Sequence, residues 1–454
     1  MSNDRLMVIS ADGHAGAPVE YYRDYLASEY HEALDALVAV DREWRDNAIS
    51  LRRFSDTTLD LVDRGGAIRG GGEFGAWEMD RRLAEMDREG VVADVLVPGH
   101  QVSMLPFFSH INGAFPPDMR RAGGRAYHRQ LADWMAESNG RLFGIADPGP
   151  CLDLDDTVQE LQWLAEHGFV GVAPPGNVAD PGLPPLTSRH WDPFWAACEQ
   201  LGLALTVHAA FGLPQYGDMA RERLQMTPHP EEALQQIMAM SPSIDQFPKD
   251  SPQLLAITIP RRVTWQLMMG GVFDRHPGLK LVLSEVRADW VPAVKQVSEH
   301  WFGPEHRGLQ RTPGEYWDQH IYVAPSSPRP YEVAMRHEIG LDRFMFGMDF
   351  PHPEGTWPNT REWISDAFHG VPLEETRRIM GDNAAECFGL DVAPLRALAD
   401  RIGPTPAEVT GERPSEALLQ HFHLRAGYCR PQEQVDATFY DEMIAADHAA
   451  LTPS

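Results

Sequence analysis

Short apolar runs recur along this chain, and several end on an acidic residue or a histidine. Leu6-Met7-Val8-Ile9-Ser10-Ala11 leads into Asp12-Gly13-His14, Leu203-Ala204-Leu205-Thr206-Val207 into His208, and Phe344-Met345-Phe346-Gly347-Met348 into Asp349. Runs of this kind read as strands buried on both faces, the signature of a parallel sheet. Strand-like segments fall at 6–12, 91–97, 142–147, 168–173, 203–208, 279–285, 320–324 and 344–349. Helical patterns lie between them at 77–89, 122–138, 154–166, 191–201, 255–275, 287–302 and 374–387. The alternation predicts an α/β fold, and this number of strands suits a closed (β/α)8 TIM barrel.

The pattern divides the chain into a barrel over 1–390 and a helical extension over 391–454. Three segments exceed what a compact barrel needs. The first, 15–76, contains Gly65-Gly66 and Gly70-Gly71-Gly72, whose backbone freedom suits a mobile lid. It lacks the Lys-Ser/Thr of a phosphate-cradling loop. The second, 209–254, is rich in Pro and Met and follows His208, where long insertions cover the active face of such folds. The extension, punctuated by Pro394, Pro404, Pro406 and Pro414, reads either as an arm packed on the barrel or a partner subunit, or as a loosely ordered tail.

Composition narrows the partners. In 454 residues, 39 basic against 66 acidic side chains leave a net charge of −27, which repels phosphate backbones and anionic lipid. Nucleic acid and membrane surfaces are therefore excluded, and a small-molecule substrate is expected. Cys151, Cys198, Cys387 and Cys429 form no C-x-x-C pair, which points to a reducing cytoplasm. The N-terminal stretch has no signal-peptide core, and the apolar stretch 254–273 is broken by Arg261, Arg262 and Gln266.

The polar strand ends carry the chemistry. On a strand, residues i and i+2 share a face, so Asp12 and His14 can reach one ion, with Gly13 leaving room between them. His421-Phe422-His423 has the same spacing in a helical pattern, where the two rings point about 200° apart, and reads as structural. Taken singly, His208 is a satisfied strand-end histidine and Asp349 a loop cap. Together they fall at the C-terminal ends of separate predicted strands, where a barrel assembles a metal site.

The runs Val8 to His14, Gly271-Val272-Phe273-Asp274-Arg275-His276-Pro277, Leu283-Ser284-Glu285 with Trp290-Val291-Pro292, Phe346 to His352, and Asn383-Ala384-Ala385 carry a family likeness. The chain resembles the amidohydrolase superfamily, in the branch containing aminocarboxymuconate-semialdehyde decarboxylase, over roughly 6–16 and 77–390. The resemblance implies Asp12 and His14 as first-strand ligands and His208 as the fifth-strand ligand. It implies Asp349 as the eighth-strand carboxylate that binds metal and handles the proton of the attacking water. Phe169-Val170-Gly171-Val172-Ala173 has no lysine, so the carboxylated-lysine bridge of many two-metal members cannot form there.

Two positions depart from the family pattern. The first ligand is Asp12 rather than histidine, and Glu285 stands where many decarboxylase relatives carry a catalytic histidine. Glu285, His352 and His100 thus join the mouth, each either as a ligand or as a contact to substrate or to the ligands. The set exceeds the three or four protein ligands of a mononuclear site and suits one or two divalent ions, zinc, manganese or iron. Arg287 is a candidate for holding a substrate carboxylate, or forms a helix-face salt bridge. Trp290 and Trp357 are candidate pocket walls, with core packing as the alternative for Trp357. His276 and His320 precede strands and belong at the barrel bottom.

The expected activity is a metal-dependent hydrolase in which metal-activated water attacks a C–N or C–O bond of a small, carboxylate-bearing substrate, with Asp349 and Glu285 as the catalytic pair. The alternatives are a non-haem dinuclear iron monooxygenase, then a non-oxidative decarboxylase, then a non-catalytic binding subunit. A homodimer is expected from the same resemblance.

Overall fold

The computed structural model describes residues 4–48, 54–99, 115–175, 182–209, 211, 257–302, 308–352, 354–425 and 437–451. Seven parallel strands stand side by side in chain order: β1 (Val8–Ala15), β2 (Val91–Pro98), β3 (Leu142–Ala146), β4 (Phe169–Val172), β5 (Ala204–Val207), β6 (Leu281–Ser284) and β7 (Ile321–Ala324). All are buried apart from Phe143 and Val170, which are half-buried, as expected for a sheet covered on both faces.

The eighth segment is the exception. Residues 344–349 make isolated parallel bridges, Val323 with Phe344 and Ser326 with Gly347, rather than a continuous ladder. They nevertheless close the barrel. Met345 N–H donates to Val323 on one side at 2.8 Å, while Phe346 accepts from Ala11 N–H on the other at 2.8 Å. The ladder cannot extend because Asp349, at φ 59°, leaves the extended region.

The helices follow the sequence pattern with two corrections. The expected 255–275 helix is described as Arg262–Met269 and Val272–Arg275, divided at Gly271, whose φ of 60° a continuous helix does not adopt. The 374–387 helix contains a wider turn at Arg378–Asp382 between Leu373–Arg377 and Asn383–Phe388. Ile9, Ala11, Val92, Val282 and Met345 form one apolar cluster with Ala384, Phe388 and Leu395 of the later helices. A larger cluster packs the other helices against the sheet.

Within the 15–76 insertion, the glycine-rich turn is tightly packed. Asp63 accepts from Ile68 and Arg69 N–H at 2.9 Å each, and a Cβ on Gly72 would lie 2.8 Å from both Glu85 and Trp357. Of the 209–254 insertion, only 209 and 211 are among the described residues. In the C-terminal region, Leu6 N–H donates to Pro404 at 2.8 Å and the Ala437–Leu451 helix packs on the barrel's outer helices. No described helix is long and apolar enough to cross a membrane.

Glu89 ends the Met79–Glu89 helix and accepts from Thr360 N–H at 2.6 Å, at the start of the Thr360–Ala367 helix. Burial pushes its carboxyl from the usual 4.5 up to about 7. A raised folded-state value favours the folded chain at low pH, and this contribution is lost as pH rises through about 7. Glu89→Gln keeps an acceptor but cannot ionise. At about 1.4 kcal/mol per unit, the wild type should lose roughly 3 kcal/mol relative to this variant between about pH 4.5 and pH 7. Melting curves of both proteins across that range test this; parallel pH profiles would refute it.

Candidate metal centre

The barrel delivers its polar residues to one end. Asp12 and His14 lie in β1, His208 directly follows β5, Glu285 directly follows β6, and Asp349 ends the closing segment with His352 three residues on. All six are buried or nearly so. The β1–β2 register shifts between Ser10 and Gly13, which re-aims this stretch of β1. Glu285, Arg287 and Asp349 take φ of 54°, 66° and 59°. Non-glycine residues held there cost about 1–3 kcal/mol each and cluster at functional sites.

The residues meet. His14 Nε2 is 3.2 Å from Asp349 Oδ1, and His208 Nε2 is 3.4 Å from Asp12 Oδ1 and 2.9 Å from Glu285 Oε2. His352 Nδ1 is 2.8 Å from Asp349 Oδ1, and its ring stacks on His14 at 4.0 Å. Two donor groups result, His14-Glu285-Asp349-His352 and Asp12-His14-His208, each with ligand atoms within 4.8 Å of one another and sharing His14. His100 lies outside the described residues.

The electrostatics call for a cation. Burial, with the charges of Glu285 and Asp12, raises the Asp349 carboxyl well above its ordinary range. Burial likewise raises Asp12, opposed by His208. Burial works against charge on His208, but Glu285 and Asp12 outweigh it and raise its pKa, while burial lowers that of His352. Asp12 Oδ2, Asp349 Oδ2 and His352 Nε2 are buried without a hydrogen-bond partner. A divalent ion supplies what these groups lack, and mixed carboxylate and imidazole donors suit manganese, iron or zinc.

Supporting residues that the sequence reading missed hold the ligands in place. Ser284 Oγ donates to Asp12 Oδ1 at 2.9 Å, and Ser10 Oγ donates to the Asp12 carbonyl at 2.9 Å while accepting from Met348 N–H at 3.0 Å. Arg82 donates to the His14 carbonyl at 2.9 Å and pairs with Asp94, both fully buried. A Cβ on Gly13 would lie 2.3 Å from Asp94 Oδ1, so the glycine accommodates that carboxylate. The available signal was Asp94 itself, a charge inside the apolar run Val91 to Val97.

The other candidates have different partners. Arg287 is buried, 3.4 Å from Glu332 Oε2 and over the Tyr331 ring at 5.4 Å. Trp290 is wholly enclosed, its indole donating to the Arg287 carbonyl at 2.9 Å and its ring 5.8 Å from Trp317, surroundings typical of a core residue. Trp357 donates to Glu85 at 2.9 Å and meets Phe350 edge-on at 5.2 Å. His276 sits 3.6 Å from both Asp192 and Glu199, and His320 Nδ1 is 2.8 Å from the Leu279 carbonyl.

The sequence profile of the amidohydrolase family matches residues 29–390. The chain is 26% identical over 274 residues to γ-resorcylate decarboxylase of Rhodococcus jostii RHA1, covering 58% of this chain and 74% of that one. It is 25% identical over 328 residues to γ-resorcylate decarboxylase of Rhizobium sp. MTP-10005, covering 69% and 88%. A dihydroxybenzoic acid decarboxylase from Polaromonas sp. JS666, solved with manganese and the inhibitor 2-nitroresorcinol, shares the fold with TM-score 0.54 at 17% identity, over 86% of this chain and 98% of that one.

Removing metal should destabilise the protein, because the clustered carboxylates then lose their counter-charge. Chelation should lower the melting temperature, and Mn(II) at about 100 times its Kd should restore roughly 3 kcal/mol. Identical melting curves with chelator and with Mn(II) would show that the cluster holds no ion.

Proposed function

This chain belongs to the amidohydrolase family, and we propose that it is a metal-dependent, non-oxidative decarboxylase of a small hydroxylated aromatic acid. The observation that carries this reading is the match to γ-resorcylate decarboxylases along 74% and 88% of their lengths. It favours loss of CO2 over the hydrolysis that the ligand pattern alone suggested.

Asp12, His14, His208 and Asp349 would hold the ion, with Glu285 and His352 completing the donor set. When bound, the ion supplies a Lewis acid that polarises substrate oxygens. Asp349 is the proposed proton donor. Breaking the bond between ring and carboxylate leaves the electron pair on the ring carbon, which takes the proton as CO2 departs. Glu285 holds the His208 imidazole in position through their 2.9 Å contact. Arg287 and Trp357 are the proposed substrate-side residues.

A second reading rests on the two donor groups that share His14. Were each group to hold its own ion, the pair would suit dinuclear oxygen chemistry instead.

The Mn(II)-loaded protein incubated with 2,6-dihydroxybenzoate and its positional isomers should release CO2, followed by carbonate trapping and ring absorbance. Asp349→Asn should lower kcat by about 100-fold or more, the usual contribution of a placed proton donor. No CO2 from any hydroxybenzoate would overturn the decarboxylase reading. Two irons per chain with oxygen uptake would establish the second.

A further inference from the structure

We propose that the C-terminal helix Ala437–Leu451 is a positioning element for the metal centre, acting through Arg261 on the loop that carries Glu285. This rests on the reading of Glu285 as a metal ligand. Tyr440 and Asp447 lie beyond residue 390, where the family match ends, so the device belongs to this chain's own extension.

Arg261 is fully buried immediately before the Arg262–Met269 helix. Its Nε and Nη2 both donate to the Val286 carbonyl, at 3.0 and 2.7 Å, and its Nη1 donates to the Tyr440 hydroxyl. One rigid fork therefore joins the C-terminal helix to one peptide of the loop after β6. That peptide lies between Glu285 and Arg287, the two left-handed residues of the loop, at φ 54° and 66°. The opposite side of the loop is pinned by Glu285 N–H, which donates to the Ala324 carbonyl at 3.0 Å, and Ala288 N–H, which donates to Glu332 at 2.8 Å. Glu285 then meets His208 at 2.9 Å.

The helix is seated independently of this fork. Asp447 accepts from Arg262 Nε at 3.1 Å and Trp265 Nε1 at 2.7 Å. Tyr440 rests near the Trp290 ring, at 6.3 Å, and the Arg261 guanidinium lies over Trp290 at 4.9 Å. Docking fixes Tyr440, Tyr440 aligns Arg261, and Arg261 holds the Val286 carbonyl in the orientation that turns Glu285 inward.

The test is a double-mutant cycle on Mn(II) affinity, measured by titrating free Mn(II) with electron paramagnetic resonance on the full chain, without substrate. Tyr440→Phe retains the buried ring, and melting curves check that it folds. Tyr440→Phe and Arg261→Met should each weaken Mn(II) binding about 10-fold, the lower end for residues that orient metal ligands. Glu285→Gln should weaken it at least as much, and Tyr440→Phe should add nothing further in that background. The proposal fails if Tyr440→Phe and Arg261→Met bind Mn(II) like the wild type, if the losses multiply in the double variant, or if Glu285→Gln leaves affinity unchanged. None of these outcomes depends on decarboxylation, so failure of that reading stays separable.

Discussion

Three carboxylates and three imidazoles packed into a water-poor pocket are the constraint that the rest of this structure answers. Asp12, Glu285 and Asp349 repel one another across a few ångströms of low-dielectric space, and removing each from water is costly. The upward shifts of Asp12 and Asp349 express that cost. His208 offsets part of it through its contacts with Asp12 and Glu285. A divalent cation resolves the remainder, and for this reason the cluster is read as a metal centre rather than as a structural ion-pair network.

Keeping such a cluster assembled requires the backbone to resist relaxation. Glu285, Arg287 and Asp349 are held in sparsely populated conformations, and each is tied into the barrel. Asp349 N–H donates to the Asp12 carbonyl at 2.6 Å, so the same contact that closes the barrel orients two candidate ligands. Below them, the buried Arg82–Asp94 pair and Ser10 brace β1. A buried pair of this kind contributes little net stability, but losing one partner would leave an uncompensated charge, so the arrangement is tightly specified. The strain at the mouth persists because the surrounding hydrogen bonds over-determine it.

Glu285, like Asp12, is a position where this chain parts from the pattern its sequence resembles. A carboxylate beside His208 gives that imidazole an acidic partner and adds an oxygen donor to the centre. With His352 stacked on His14, the mouth holds more donors than one ion requires. The C-terminal helix reaches the same loop through Arg261, linking a region outside the family match to one of the residues that differ.

What the linear chain determined was the parallel α/β architecture and the convergence of Asp12, His14, His208 and Asp349. Both follow from local regularities: buried parallel strands are continuous apolar runs, and barrel ligands sit where those runs stop. Glu285 and His352 were visible as candidates, but proximity alone made them members of the group. The contacts of Ser284 with Asp12 and of Ser10 with Met348 were not legible, because 272 and 338 residues separate the partners and no spacing encodes such a meeting; of the Arg82–Asp94 pair, only the charge of Asp94 inside an apolar run was visible. Trp290, a candidate pocket wall, packs against Trp317 and Arg261, and a large aromatic gives the same sequence signal in a wall as in a core. Closure of the barrel by 344–349 through isolated bridges, and the reach of Arg261 to Tyr440, were decided only by the tertiary fold. The physical reason is common to these cases: a strand announces itself through its neighbours in sequence, whereas a hydrogen bond across the barrel depends on where the whole chain has already been placed.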